Sequence, residues 1–120
     1  MILTNREIDQ LAMELNDVLT KELTFKQKFL AMDLVSTISP KLETYGKLQK
    51  EIFDTHTTPN SDGKSVTFND EEGIKLFNEL SSVENDIVVN PHLIESIIDV
   101  KTTITPVMLY KIYADKEKEK

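Results

Sequence analysis

The sequence predicts a mainly α fold: a helical bundle with one long kinked helix and a minor two-stranded β element. Three observations carry this. Apolar residues recur at Phe25, Phe29, Met32, Val35, Ile38, Leu42, Tyr45, Leu48 and Ile52, in steps of three and four that suit one stripe of a helix. That stripe would run for nearly eight turns at 3.6 residues each, against about three turns for an average helix. Shorter amphipathic runs flank it, whereas β-branched stretches are confined to Val66-Thr67-Phe68 and Ile87-Val88-Val89.

Taken in order, Thr4-Asn5-Arg6-Glu7 reads as a capping box, the threonine accepting from the backbone and the glutamate reaching back. Ile8, Leu11, Ala12, Leu15, Val18 and Leu19 follow at helical spacing, so a first helix ends near Thr20. The short connection through Leu23-Thr24 makes it an antiparallel neighbour of the long helix. Pro40 lies inside the long helix, where it removes an amide donor and crowds the preceding turn; a kink or brief break is expected near Ile38-Ser39. From Thr55 to Ser65 polar turn formers dominate, with Asp62-Gly63 as the strongest turn signal.

Val66-Thr67-Phe68 suits a short strand, while a hairpin partner before it is poorly apolar. Asn69-Asp70-Glu71-Glu72 opens a third helix, its acids favoured by the helix dipole, and Ile74, Phe77, Leu80 and Val83 form its buried face. Ile87-Val88-Val89 ends at Pro91 and offers Val66-Phe68 a second candidate partner across the intervening helix, beside the hairpin that the Asp62-Gly63 turn would close. Leu93, Ile94, Ile97 and Ile98 mark a short element of undetermined type. Thr105-Pro106 starts the last helix, with proline at its first position, continued by Val107, Met108, Leu109 and Ile112. Residues 1–115 thus form a single helical domain, and residues 116–120 a frayed charged tail with no apolar anchor.

A helix of this length outruns a compact domain, whose radius of gyration at this size is roughly 13–14 Å, so a homodimer or higher homo-oligomer is expected. Leu30 and Leu34 widen the start of the stripe, which suits a bundle core there. The narrower stretch from Glu43 to Asp54 is then the expected partner contact.

Composition narrows the function. With 120 residues the chain suits one core. It has no cysteine, so neither disulfides nor thiolate metal sites are available. The N-terminus lacks the basic and apolar regions of a signal peptide, and no apolar run reaches bilayer-spanning length; a soluble intracellular protein is expected. The net charge of -7 argues against general nucleic-acid binding, which depends on phosphate contacts. The charge is uneven, however. Residues 21–50 hold six lysines against Glu22, Asp33 and Glu43, whereas residues 62–99 hold nine acids against Lys64 and Lys75. Two surfaces of opposite sign either neutralise one another or serve separate ligands.

No motif points to catalysis. Gly63-Lys64-Ser65 resembles the end of a phosphate-binding loop, but Thr58 stands where the loop's first glycine belongs. Read as a calcium loop, the same segment has Thr58 and Asn69 at its first and last positions, where acids are needed. His56 and His92 show no metal-ligand spacing, and no G-x-S-x-G is present. The expectation is a binding protein that is not an enzyme and needs neither metal nor cofactor. Were its ligand an anionic nucleotide, Lys26, Lys28, Lys47 and Lys50 are the candidate phosphate contacts, Lys47 and Lys50 sharing a helix face. Tyr45 and Phe53 are the candidates to stack on a base.

The order of elements resembles a group of small bacteriophage proteins from Gram-positive hosts. The resemblance rests on Leu3-Thr4-Asn5 before a short amphipathic helix, a long charged helix, and the Asp62-Gly63 turn. It continues through Phe77-Asn78-Glu79-Leu80 in an acidic helix, then Ile87-Val88-Val89 and a closing helix after Thr105-Pro106. Pro40 departs from the group's pattern. The resemblance implies a protein of the host cytoplasm that interferes with host defence, by sequestering an anionic signalling nucleotide or by blocking a host protein. The alternative it leaves open is a virion or tail-assembly structural protein. It brings no catalytic residues.

Overall fold

A computed structural model describes residues 1–118. The described residues form, in chain order, β1 (Ile2–Thr4), α1 (Asn5–Leu19), α2 (Phe25–His56), β2 (Thr57–Pro59), β3 (Val66–Phe68), α3 (Glu71–Ser81), β4 (Glu84–Asp86), α4 (Pro91–Ile97) and α5 (Val107–Lys118). The fold is mainly α, with one long helix and two small antiparallel sheets. Among these residues no helix is long and apolar enough to cross a membrane.

Local chemistry sets the helix starts. At α1 the capping box forms as read: the Glu7 amide donates to the Thr4 hydroxyl at 3.1 Å, and the Thr4 amide to the Glu7 carboxylate at 3.0 Å. A second capping box, not foreseen, opens α2, where the Gln27 amide donates to Thr24 at 3.1 Å and the Thr24 amide to Gln27 at 2.9 Å. Asn90 caps α4 by accepting from the His92 amide at 2.9 Å, with Pro91 preset for the first turn. Proline there ends the preceding extended segment and begins a helix.

The 32 residues of α2 amount to about 48 Å of helix, close to the molecule's longest dimension of 45 Å. The radius of gyration is 16.4 Å, above the roughly 13–14 Å of a compact domain this size. Pro40 lies within an unbroken helix, so the expected break near Ile38-Ser39 is absent. Ser36, whose carbonyl loses its helical partner to Pro40, is exposed, where an unpaired carbonyl is open to solvent.

One expectation about α2 is corrected. Phe25, Phe29 and Met32 are 88%, 67% and 54% exposed, while Leu30, Ala31, Leu34 and Ile38 face the core. The reason is rotational. At 100° per residue, a stripe from Phe25 to Ile52 gains about half a turn, so its two ends cannot share one face of a straight helix. The core lies against the first half of α2. It joins Ile8, Leu11, Leu15 and Val18 of α1 to Leu93, Ile94 and Ile97 of α4 and Met108, Leu109 and Ile112 of α5.

Of the two pairings open to β3, the hairpin forms. Val66–Phe68 pairs not with residues 87–89 but with Thr57–Pro59, in the register Thr57↔Phe68, Thr58↔Thr67 and Pro59↔Val66. Closing this short loop loses less entropy than a pairing across α3. Gly63 takes the positive φ of 69° that the turn requires. The Asp62 carboxylate fixes the turn by accepting from the Lys64 amide at 2.9 Å and the Ser65 amide at 3.2 Å.

The second sheet joins β1 to β4, with Leu3 opposite Asn85. It ends where the Ile87 amide donates to the Met1 carbonyl at 2.8 Å. The strand thus lies at Glu84–Asp86, immediately before the predicted 87–89, because the N-terminal segment Ile2–Thr4 is its partner. Ile87 is buried and Val88 exposed.

Two acids of α1 dock the C-terminal part of the chain. Glu14 is 0% exposed and accepts from the Met108 and Leu109 amides, both at 3.0 Å, and from the Gln10 side chain at 2.9 Å. It caps the first turn of α5 from a neighbouring helix. One turn on, Asp17 accepts from the Thr103 amide at 2.7 Å and the Ile104 amide at 3.2 Å. The helical backbone of α5 continues to Lys118, into the segment expected to fray; residues 119–120 of that tail lie outside the described residues.

Candidate functional site

Beyond the core, the second half of α2 is flanked chiefly by α3, and α3 is clamped at both ends. At its start, Asp70 caps the helix by accepting from the Gly73 amide at 2.7 Å. The same carboxylate meets the Nδ1 of His56, at the end of α2, at 3.0 Å from each oxygen. Gly73 is buried here, and a Cβ on it would lie 2.5 Å from the His56 Cβ. A side chain at this position would separate the two helices. Phe53 of α2, Phe68 of β3 and Phe77 of α3 pack together, with centroids 5.7 to 6.1 Å apart. At the far end of α3, the Tyr45 and Ser81 hydroxyls share a buried hydrogen bond of 2.8 Å.

Between these clamps the two helices leave a groove of about 460 Å³. Leu48, Ile52 and Thr55 line one wall, Leu76 and Leu80 the other, and Val83 closes one end. A second hollow of about 220 Å³ shares Leu48, Leu80 and Val83 and extends the surface toward Asn5, Lys41 and Asn85. Glu51 and Glu79 line the larger hollow, whereas the lysines beside it on α2 are already matched. Lys47 pairs with Glu43 at 3.2 Å and Lys50 with Asp54 at 2.6 Å. The larger hollow is therefore apolar with an acidic rim, and Lys41 borders the second one.

The six residues proposed for a nucleotide are not brought together. Lys26 and Lys28 stand in the first turn of α2 and Lys47 and Lys50 some six turns later, a separation of about 30 Å along the axis. Lys28 lies over the Phe25 ring at 5.7 Å. Tyr45 is buried and bonded to Ser81, and Phe53 is half-buried and packs on Phe68 and Phe77, so both rings are engaged within the fold. His92 is exposed on α4, remote in sequence from the His56–Asp70 pair. Among the described residues no group of three or more histidines and acids is placed to hold a metal.

Several carboxylates are held below their ordinary pKa. In Asp70 the hydrogen bond with His56 is the main cause, followed by the Gly73 amide. In Glu7 it is Lys111, then the Thr4 amide, and in Asp62 the Lys64 and Ser65 amides. For Asp17 desolvation pushes the pKa up, but the Ile104 and Thr103 amides and Lys21 together outweigh it. These groups are depressed in the folded state, so their stabilisation is complete above the unfolded carboxylate pKa of about 4 and is lost as pH falls through the folded values. The urea midpoint is thus expected to drop steeply below about pH 4, with Asp17→Asn and Asp70→Asn each flattening the profile. An unchanged slope in both variants would show that these contacts are not linked to folding.

Comparison of the chain with protein-family models, curated proteins and solved structures found no match. The groove was only half legible beforehand. Leu80 and Val83 were read as one buried helix face, yet Val83 and Ile74 are exposed and Leu76 lines the groove. The missing signal is helix length: α3 spans 11 residues, too short to cover the second half of α2.

Proposed function

We propose that the protein acts by binding a polypeptide partner, and that the α2–α3 groove receives a basic helix through that helix's apolar face. The observation that carries this reading is the apolar groove itself, framed by Glu51 and Glu79. An amphipathic helix docks in such a groove through side chains at i, i+3, i+4 and i+7, and the volume lies within the range of sites that take a few such anchors. The acidic rim, with the acid excess of residues 62–99, favours lysines or arginines beside those anchors and penalises an acidic competitor. The resemblance to phage proteins supports a host defence protein as the partner, met in the host cytoplasm and blocked by occlusion. A nucleotide ligand is the weaker reading, since its proposed contacts are spread along α2.

The test uses two synthetic helical peptides with leucines at i, i+3, i+4 and i+7, one carrying lysines on its remaining positions and the other glutamates. The lysine peptide is expected to bind at least about tenfold more tightly, with the difference shrinking at high salt. Leu48→Gln with Val83→Gln, both at partly exposed positions, should weaken binding by about tenfold or more, as expected when anchors are removed, and leave the circular-dichroism spectrum unchanged. Equal binding of both peptides, or full binding by the double variant, would overturn the assignment.

A further inference from the structure

The largest exposed apolar side chains of α2 lie away from the groove. Phe25, Phe29 and Met32 are 88%, 67% and 54% exposed, and their spacing of four and three places them on one line. By helical rotation this line is opposite Leu34 and Ile38, which enter the core. Such a stripe is larger than the scattered apolar residues of an ordinary surface. The Lys28 ammonium lies over the Phe25 ring at 5.7 Å.

Charge along the stripe is ordered. Lys26 and Asp33 are seven residues apart, so they flank the same edge two turns from one another. Both are exposed, and among the described residues neither side chain has an ion-pair partner. If two copies of the stripe are laid antiparallel about a two-fold axis, the same edges meet. Phe29 then packs on the partner's Met32, Phe25 reaches the partner's Ser36, and Lys26 comes opposite the partner's Asp33. The two-fold axis generates the second, identical ion pair. Antiparallel placement also opposes the two helix dipoles. A parallel pair in register would instead run the polar stretch from Ser36 to Glu43 against itself.

We propose that the protein forms a two-fold symmetric homodimer through antiparallel pairing of the α2 segments from Phe25 to Ser36. The occupant of the stripe is a second copy because the charge pattern is self-complementary, which an isologous interface demands. The interface is small, so association belongs in the micromolar range. It lies on the opposite side of α2 from the groove residues Leu48 and Ile52, and it stands whether or not the groove binds a peptide.

Sedimentation equilibrium of the full chain at about 5 to 200 µM, the range set by so small an interface, tests this directly. Wild type is expected to dimerise, and Phe29→Asp, at an exposed position, to remain monomeric with unchanged helicity. Lys26→Glu and Asp33→Lys singly place like charges face to face twice per dimer, and each should weaken association by about tenfold or more. The double variant K26E/D33K should dimerise like wild type, and an equimolar mixture of the two single variants should form heterodimers. A monomeric wild type throughout the range would overturn the proposal. So would failure of the double variant to restore association, or rescue of D33K by Lys28→Glu in place of Lys26→Glu, which signifies parallel pairing.

Discussion

Replacing Glu14 with alanine is expected to lower the unfolding free energy by about 3 to 5 kcal/mol, the range for breaking a buried, fully hydrogen-bonded charge site. The carboxylate is inaccessible to solvent and accepts from two amides of the first turn of α5, those of Met108 and Leu109. These are donors that no intrahelical carbonyl can satisfy, and the positive end of the helix dipole points at the acid. Alanine removes the acceptor and leaves two buried amides unpaired, each with its own desolvation penalty.

Glu14→Gln separates charge from shape. Its carbonyl can serve one amide, but its NH2 group must then face the other donor, so an intermediate loss of about 1 to 3 kcal/mol is expected. Urea denaturation gives both values, and hydrogen exchange locates the effect. In Glu14→Ala, protection should fall first at Met108 and Leu109, whose amides the carboxylate accepts. Loss confined to Gln10 and its neighbours on α1 would contradict the capping role.

Glu14 also shows where reading a sequence stops. At 100° per residue it lies about 40° beyond Val18, outside the apolar arc of Ile8, Leu11, Leu15 and Val18, so its burial was not read from the sequence. What it bonds to was not legible either, because its donors lie 94 and 95 residues away. Local rules served well wherever both partners were near in sequence. Thr4 with Glu7 and Asp62 with Gly63 are satisfied within a few residues, and both features form as read.

Non-local choices failed for the same reason in reverse. Val66–Phe68 had two pairing options, and the nearer one forms although Thr57-Thr58-Pro59 has less β character than Ile87-Val88-Val89. Periodicity misled over α2 because the eight steps from Phe25 to Ile52 average below 3.6 residues, so the stripe drifts around the helix by about half a turn. The candidate site suffered most. Lys26 and Lys50 share a helix, but a shared helix of this length places them at opposite ends. The groove emerged instead from how far α3 extends, a length that no single residue announces.

The second large effect concerns the joint that sets the groove. Gly73→Ala is expected to destabilise the protein by about 1 to 3 kcal/mol, the usual range for overpacking, even though alanine favours a helix by about 1 kcal/mol over glycine. The added Cβ would meet the His56 Cβ at 2.5 Å, the Phe68 ring at 3.1 Å and the Asp70 carboxylate at 3.2 Å. The first of these cannot swing aside, because it is fixed to the backbone at the end of α2, where the Asn69 amide donates to the His56 carbonyl at 2.7 Å. Relief requires α3 to lift from α2, which weakens the Asp70 cap and the His56 contact together.

Gly46 provides the internal control. It lies in mid-helix on an exposed face with nothing within 4 Å of an added Cβ, so Gly46→Ala should stabilise by about 0.5 to 1 kcal/mol through the unfolded-state entropy of glycine alone. Opposite signs for the same substitution, measured by thermal and urea unfolding, isolate packing at Gly73 from helix propensity. Stabilisation by both would mean that α3 does not rest on His56, and the walls of the groove would then need a different placement.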